Sequence, residues 1–341
     1  MPQTVSFAGR LIGNGQPPFF IAEIGANHNG DMDLCRRLID AAADAGADAV
    51  KFQSWTDKSL LALGEYAAQD DFLRQARKHQ LSPEQHHMAR ERCRAKGVMF
   101  CSTPFSAGEA DMLEGLDVPF FKISSMDVNH HAFLRHVARK KRPIILSTGM
   151  ATLGEIEQAV MAIRSEGNDD IVLLHCVSLY PPNAETVNLR NIRMLSDVFG
   201  LPAGFSDHTI GVGCPLAAVA LSACVVEKHF TLDKKMPGWD HAVSADPTEM
   251  ATIIREGREI WKALGRYERT LTKEEVEKRN VFRRSLVTKR SMKAGEVITR
   301  EDLDCKRPGW GIPPNELEYV VGRKLSEDVA AEQVLRWSQL K

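Results

Sequence analysis

Over its first 230 residues the chain alternates short apolar runs with amphipathic segments. The apolar runs, rich in β-favouring residues, lie at 19–25, 48–53, 98–103, 120–124, 143–149, 171–177, 202–208 and 225–230. Several are nearly continuous in Val, Ile, Leu and Phe. That suits parallel strands covered on both faces better than strands with one wet face. Helix starts stand between them. Ser82-Pro83-Glu84-Gln85, Ser106-Ala107-Gly108-Glu109, Thr152-Leu153-Gly154-Glu155 and Asp246-Pro247-Thr248-Glu249 each place a capping side chain three residues before a Gln or Glu that can return the bond. Eight strands, each followed by a helix, predict an α/β fold of the (β/α)8 TIM-barrel type. A doubly wound open sheet is the weaker alternative, because no Gly-x-Gly-x-x-Gly turn follows the first strand.

The pattern changes near residue 266. Residues 266–282 are rich in charge, with a capping-box match at Thr272 and Glu275, and read as a linker holding a short helix. Beyond them come short β segments (285–288, 297–298, 334–337) and a turn cluster, Arg307-Pro308-Gly309-Trp310-Gly311-Ile312-Pro313-Pro314. The expected division is a barrel over 1–265, a linker over 266–282 and a small β-rich domain over 283–341. A length of 341 residues suits two domains.

Charge narrows the function classes. The chain has 44 Lys+Arg against 45 Asp+Glu, so no global positive field favours nucleic acid. With 43% hydrophobic residues it has the composition of a globular protein, not of an acidic disordered one. Residues 281–341 hold 12 Lys+Arg and 9 Asp+Glu, so the small domain is mildly basic beside a mildly acidic barrel. The seven cysteines form no Cys-x-x-Cys pair, which argues against a disulfide framework or a thiolate zinc site. There is no basic-then-apolar leader at the N-terminus. The longest apolar run, 216–226, is far short of the ~20 residues that span a bilayer. The expected location is the cytoplasm.

In a barrel the C-terminal strand ends face the active site. Here all eight ends carry polar residues, and these are expected to converge on one mouth. Lys51 and Lys122 follow apolar runs; such lysines can simply snorkel, but two on one barrel face read as anion ligands. The hydroxyls of Thr103, Ser125, Ser147 and Ser206 are suitable additional donors. His208 and His229 end consecutive strands and are candidate ligands of a divalent metal completed by water or substrate oxygens, a pattern suited to Mn2+ or Mg2+. Glu23 precedes an Asn29-Gly30 turn and could bond a substrate hydroxyl or move a proton; its bland reading is a salt bridge to a lysine. His86, His87, His130, His131 and His136 fall on predicted helices and read as surface or capping residues.

Taken in order, these segments resemble the sialic acid synthase family: bacterial N-acetylneuraminate synthases and their legionaminic and pseudaminic acid relatives. The matching segments are Ile21-Ala22-Glu23-Ile24-Gly25 with Asn27-His28-Asn29-Gly30, Val50-Lys51-Phe52-Gln53, Ser102-Thr103-Pro104-Phe105, Lys122-Ile123-Ser124-Ser125, Leu146-Ser147-Thr148-Gly149-Met150, Leu174-His175-Cys176 with Tyr180-Pro181, Gly204-Phe205-Ser206-Asp207-His208-Thr209 and Glu227-Lys228-His229-Phe230. The resemblance implies a TIM barrel followed by an antifreeze-like (SAF) domain. It implies a transferase that condenses phosphoenolpyruvate with the open-chain aldehyde of an N-acyl hexosamine such as N-acetylmannosamine, releasing phosphate by C–O cleavage. It would place Glu23, His208 and His229 in catalysis, with the two histidines on Mn2+ or Mg2+. Lys51, Thr103, Lys122, Ser125, Ser147 and Ser206 would bind phosphoenolpyruvate, and Glu23, Gln53, Tyr180, Asp240 and Arg307 the acceptor. It also implies a domain-swapped homodimer in which Arg307 comes from the partner's cap.

Three departures fall on the acceptor side: Ser178 where many relatives carry Asn, the stretch 60–80, and Trp239. They leave a diacetamido-trideoxyhexose open as the acceptor. Two other readings compete, a Schiff-base aldolase using Lys122 or Lys51 and a non-catalytic carbohydrate-binding protein.

Overall fold

The computed structural model describes residues 4–341. The chain divides into two compact units, one ending at Gly265 and the other running from Arg266 to Lys341.

The first unit is built on eight parallel strands: β1 (Phe19–Gly25), β2 (Ala49–Ser54), β3 (Met99–Pro104), β4 (Phe121–Ile123), β5 (Ile144–Ser147), β6 (Ile171–Cys176), β7 (Ala203–Asp207) and β8 (Val225–His229). Hydrogen-bonded ladders run β3-β2-β1-β8-β7-β6-β5-β4, and β3 lies beside β4 to close the ring. Helices follow the strands, as the capping signals predict. Ser82, Thr152 and Asp246 each accept the backbone N–H three residues on and are bonded in return. Ser106 departs from that expectation. Its hydroxyl bonds the Glu109 carboxylate, and no side-chain cap reaches the backbone of the helix Ala107–Gly115.

Strand alternation sorts the apolar residues into two cores. Phe20, Ala22, Val50, Phe52, Phe121, Ile123, Leu146, Leu173 and Phe205 face the helices. Phe19, Ile21, Ala49, Cys101, Phe120, Ile145, Leu174 and Val225 fill the barrel's lower interior. An antiparallel hairpin, Thr4–Phe7 with Arg10–Gly13, sends Val5, Phe7 and Ile12 into that second core. Phe7 lies 4.4 Å from Phe120 and meets Phe19 edge-on at 5.4 Å. This hairpin, not among the expected elements, stoppers the lower end.

In the second unit the helix Lys273–Phe282 is capped by Thr272 and buries no residue. The strand Ser285–Thr288 pairs antiparallel with Leu303–Lys306. The segments expected at 297–298 and 334–337 contribute only single bridges, Val297 with Lys324 and Val287 with Val334. Leu286, Met292, Ile298, Ile312, Leu325 and Leu335 form a separate small core. Among the described residues no helix is long and apolar enough to cross a membrane.

Candidate active site at the barrel mouth

The strand ends do not all converge, because alternation sends every second residue outward. Ser102 bonds Ser54 at 2.7 Å behind the wall, and Ser54 in turn bonds His86 at 2.7 Å. His86 is thus a buried residue rather than the surface or capping one expected. His175 bonds the Val187 carbonyl at 2.6 Å, and Asp207 and Lys228 pair with each other away from the mouth. The inward residues line a cavity of about 280 Å³ containing Glu23, Lys51, Gln53, Thr103, Lys122, Ser125, Ser147, Tyr180, Ser206, His208 and His229. Asp240 does not line it, but its Oδ2 lies 3.9 Å from His229 Nδ1. Arg307 belongs to the second unit, where its guanidinium sits 5.1 Å from the Phe282 ring.

Glu227, missed as a site residue in the sequence, lies at the centre of this wall. It is two positions before His229 and therefore on the same face, and that parity is the signal that could have found it. Lys51 Nζ is 2.7 Å from Glu23 and 3.9 Å from Glu227, and Lys122 Nζ is 3.5 Å from Glu227. The two lysines are therefore not bare cations awaiting an anion. They belong to a buried quartet with two carboxylates. Lys51 also donates to Thr103 Oγ1 at 3.1 Å, Ser206 Oγ to Glu227 Oε1 at 3.0 Å, and Gln53 Nε2 to Glu23 Oε1 at 3.1 Å.

The quartet is electrostatically unequal. Burial pushes Glu23 up to about 7 against the pull of Lys51, with Glu227 adding to the rise. Glu227 is buried too, but Lys122 and Lys51 hold it below its ordinary range. Burial acts downward on Lys51, yet Glu227 and Glu23 keep it above its ordinary value. Lys122 is lowered by burial, which Glu227 only partly offsets. Near neutral pH the wall thus holds a firm lysine, a firm carboxylate and a carboxyl poised to gain or lose a proton.

The two histidines adjoin this wall, their rings 5.5 Å apart, with the Tyr180 ring 4.0 Å from His208. Burial, His208 and Lys51 keep His229 neutral, far below the ordinary imidazole range. His208 is raised instead: burial acts downward but is outweighed by Cys176, whose Sγ lies 3.8 Å from Nδ1, and by the Val177 carbonyl at 2.9 Å. The bond from Nδ1 to Val177 leaves Nε2 of His208 free for a ligand. Ser147 Oγ and His229 Nδ1 are buried without a hydrogen-bond partner. Buried polar atoms are rarely left so, and two at one mouth point to a ligand-binding place. Among the described residues no group of three His, Cys, Asp or Glu side chains could hold a metal ion. A cation held by His208 and His229 would therefore draw its other ligands from water or substrate oxygen.

Comparison with known proteins agrees with a barrel followed by a small C-terminal domain. Residues 38–269 match the NeuB family and residues 283–341 the SAF domain. The chain is similar to an uncharacterized protein of Methanocaldococcus jannaschii, 40% identical over 338 residues and 99% of each chain. It is 39% identical to the N,N'-diacetyllegionaminic acid synthase of Legionella pneumophila over 345 residues, 96% of each. Among solved structures, the N-acetylneuraminic acid (sialic acid) synthetase of Leptospira borgpetersenii is 35% identical, with a TM-score of 0.76 over 83% of this chain and 98% of that one.

Proposed function

The chain belongs to the NeuB family of sialic, legionaminic and pseudaminic acid synthases, and from that premise we propose that it condenses phosphoenolpyruvate with the open-chain aldehyde of an N-acyl hexosamine. Carbon 3 of the enol attacks the aldehyde carbon, water adds at carbon 2, and phosphate leaves by C–O cleavage. The observation that carries the reading is the buried Lys51–Glu23–Glu227–Lys122 quartet ringed by Thr103, Ser125, Ser147 and Ser206.

With Glu23 protonated the quartet keeps one net positive charge, so that Lys51 and Lys122 bind the phosphate and carboxylate of the donor while the four hydroxyls orient it. Such ligand charges gain more in this buried wall than in water. Glu23, with a pKa of about 7, holds a proton near neutrality at the place where the aldehyde oxygen becomes a hydroxyl. Gln53, Tyr180 and Asp240 hold the acceptor, and Arg307 from the cap of a second copy, in a domain-swapped homodimer, recognises its N-acyl group. A divalent cation, Mn2+ or Mg2+, fits the free Nε2 of His208 and the neutral His229; when bound it supplies Lewis-acid polarisation of the aldehyde. Full-length similarity to an N,N'-diacetyllegionaminic acid synthase favours an acceptor bearing two N-acetyl groups over N-acetylmannosamine.

The test is phosphate release from phosphoenolpyruvate with Mn2+ and a panel of N-acyl aldoses, with the diacetamido-trideoxyhexoses expected to turn over fastest. Release with none of them would sink the proposal and revive a non-catalytic carbohydrate-binding role. Turnover is expected to stop in EDTA, and borohydride with pyruvate should leave the protein unmodified; a trapped lysine adduct would favour the Schiff-base aldolase. Arg307→Ala should raise the acceptor KM and leave the phosphoenolpyruvate KM unchanged.

A further inference from the structure

Behind the two mouth histidines lies an ion pair that the proposed reaction does not touch. Asp207 stands between Ser206 and His208, and Lys228 between Glu227 and His229. Both side chains therefore point through the wall, away from the mouth. In the parallel ladder Lys228 is directly opposite Asp207. Their side chains are 0% and 1% exposed, and Lys228 Nζ reaches Asp207 Oδ2 at 2.6 Å. The same Nζ donates to the Thr209 carbonyl at 2.5 Å, while the other Asp207 oxygen accepts the Thr209 N–H at 2.8 Å. Three bonds thus close a ring around His208, tying the turn after it to the strand that carries His229.

Stability alone is a weak account of such a pair. Desolvating two charges offsets much of their attraction, and well-packed apolar replacements often hold a fold equally well. What an apolar pair would not reproduce is the fixed position of Thr209 relative to Lys228, and hence of His208 relative to His229. A two-histidine cation site depends on that spacing more than a richer site does, since no third side chain restores it. Groups behind a ligand that fix its orientation change metal affinity by about 10- to 100-fold when removed.

We infer that Asp207 and Lys228 are positioning residues that set the separation of His208 and His229 for a divalent cation. The inference rests on the metal reading given above. It is tested without turnover, by Mn2+ titration followed by electron paramagnetic resonance, which reports affinity and the symmetry of the bound ion. Lys228→Met removes the ring, and the double variant Asp207→Asn, Lys228→Met does so without leaving an unpaired buried charge, so it keeps a folded sample if the single change does not. Phe7→Leu, at the stoppered end, is the control for simple destabilisation.

The folded ring variants should bind Mn2+ about 10- to 100-fold more weakly and with an altered spectrum, whereas Phe7→Leu should lower Tm and leave affinity intact. Affinity of the double variant within about threefold of the parent would overturn the inference. So would a matching loss in Phe7→Leu. A parent that binds no Mn2+, or a His208→Ala variant that binds it equally well, would sink the metal reading and the inference with it. Loss in His208→Ala with none in the double variant would sink the inference alone.

Discussion

The two ends of the barrel are made from the same strands, two residues apart, and are chemically opposite. Ile21 lies in the apolar lower layer and Glu23 in the wall above it. The same step takes Ala49 to Lys51, Cys101 to Thr103, Phe120 to Lys122, Ile145 to Ser147 and Val225 to Glu227. A step of two residues is about 6.6 Å of strand. Over that distance the interior passes from packed rings and aliphatic chains to four charged groups and their hydroxyls. The lower layer makes the wall possible: it supplies rigidity and low polarity beneath the charges without competing for their bonds.

The contrast should be easiest to break from above. Lys51→Met leaves Glu23 and Glu227 without their shared cation, so it should lower stability by about 3–5 kcal/mol and turnover by roughly 10²–10³-fold. Urea unfolding and phosphate release read the two effects. A variant as stable as the parent would mean that the quartet is not held as a unit. Phe7→Ala, from below, should also lower stability by about 3–5 kcal/mol through the cavity it leaves, yet keep kcat of the folded fraction within about twofold. A large fall in kcat would show that the two layers are mechanically coupled.

A subtler probe is pH. Glu23 has its folded value raised to about 7 from an ordinary 4.5, so between those limits the folded state binds more protons than the unfolded chain. The stability contributed by its protonated form is complete below about 4.5 and is lost as pH rises through about 7, about 3 kcal/mol in all. Glu23→Gln should flatten that part of the stability curve; an unchanged slope would assign it to other groups. Smallest of all should be Arg193→Ala on the exposed helix Asn191–Phe199, which breaks only the 2.8 Å pair with Asp197. It should shift stability by no more than about 0.5 kcal/mol and leave kinetics alone.

The strands were legible because a parallel strand covered on both faces has little choice but to be apolar throughout. The mouth was legible as a set of polar ends but not as a wall. Register decides that Glu23 stands opposite Lys51 and His229 opposite Glu23, and register is invisible in one sequence. Parity was available and would have separated Glu227 from Lys228 and Ser206 from Asp207. The hairpin was obscured because its four-residue strands are shorter than a clear alternation needs, and its turn rests on Ala8 and Gly9, both at positive φ. His86 looked like a helix-surface residue because its partner, Ser54, comes from a strand thirty-two positions earlier.

The stoppered end has a consequence for traffic. A tube open at both ends could admit one reactant from each side, but a vessel closed by Val5, Phe7 and Ile12 has a single doorway. Whatever reaches the lysines at the bottom passes the rim first, and whatever is seated above it must wait to enter and be the first to go. For the two reactants of the proposed condensation, depth would then set the order of arrival and departure, last in and first out.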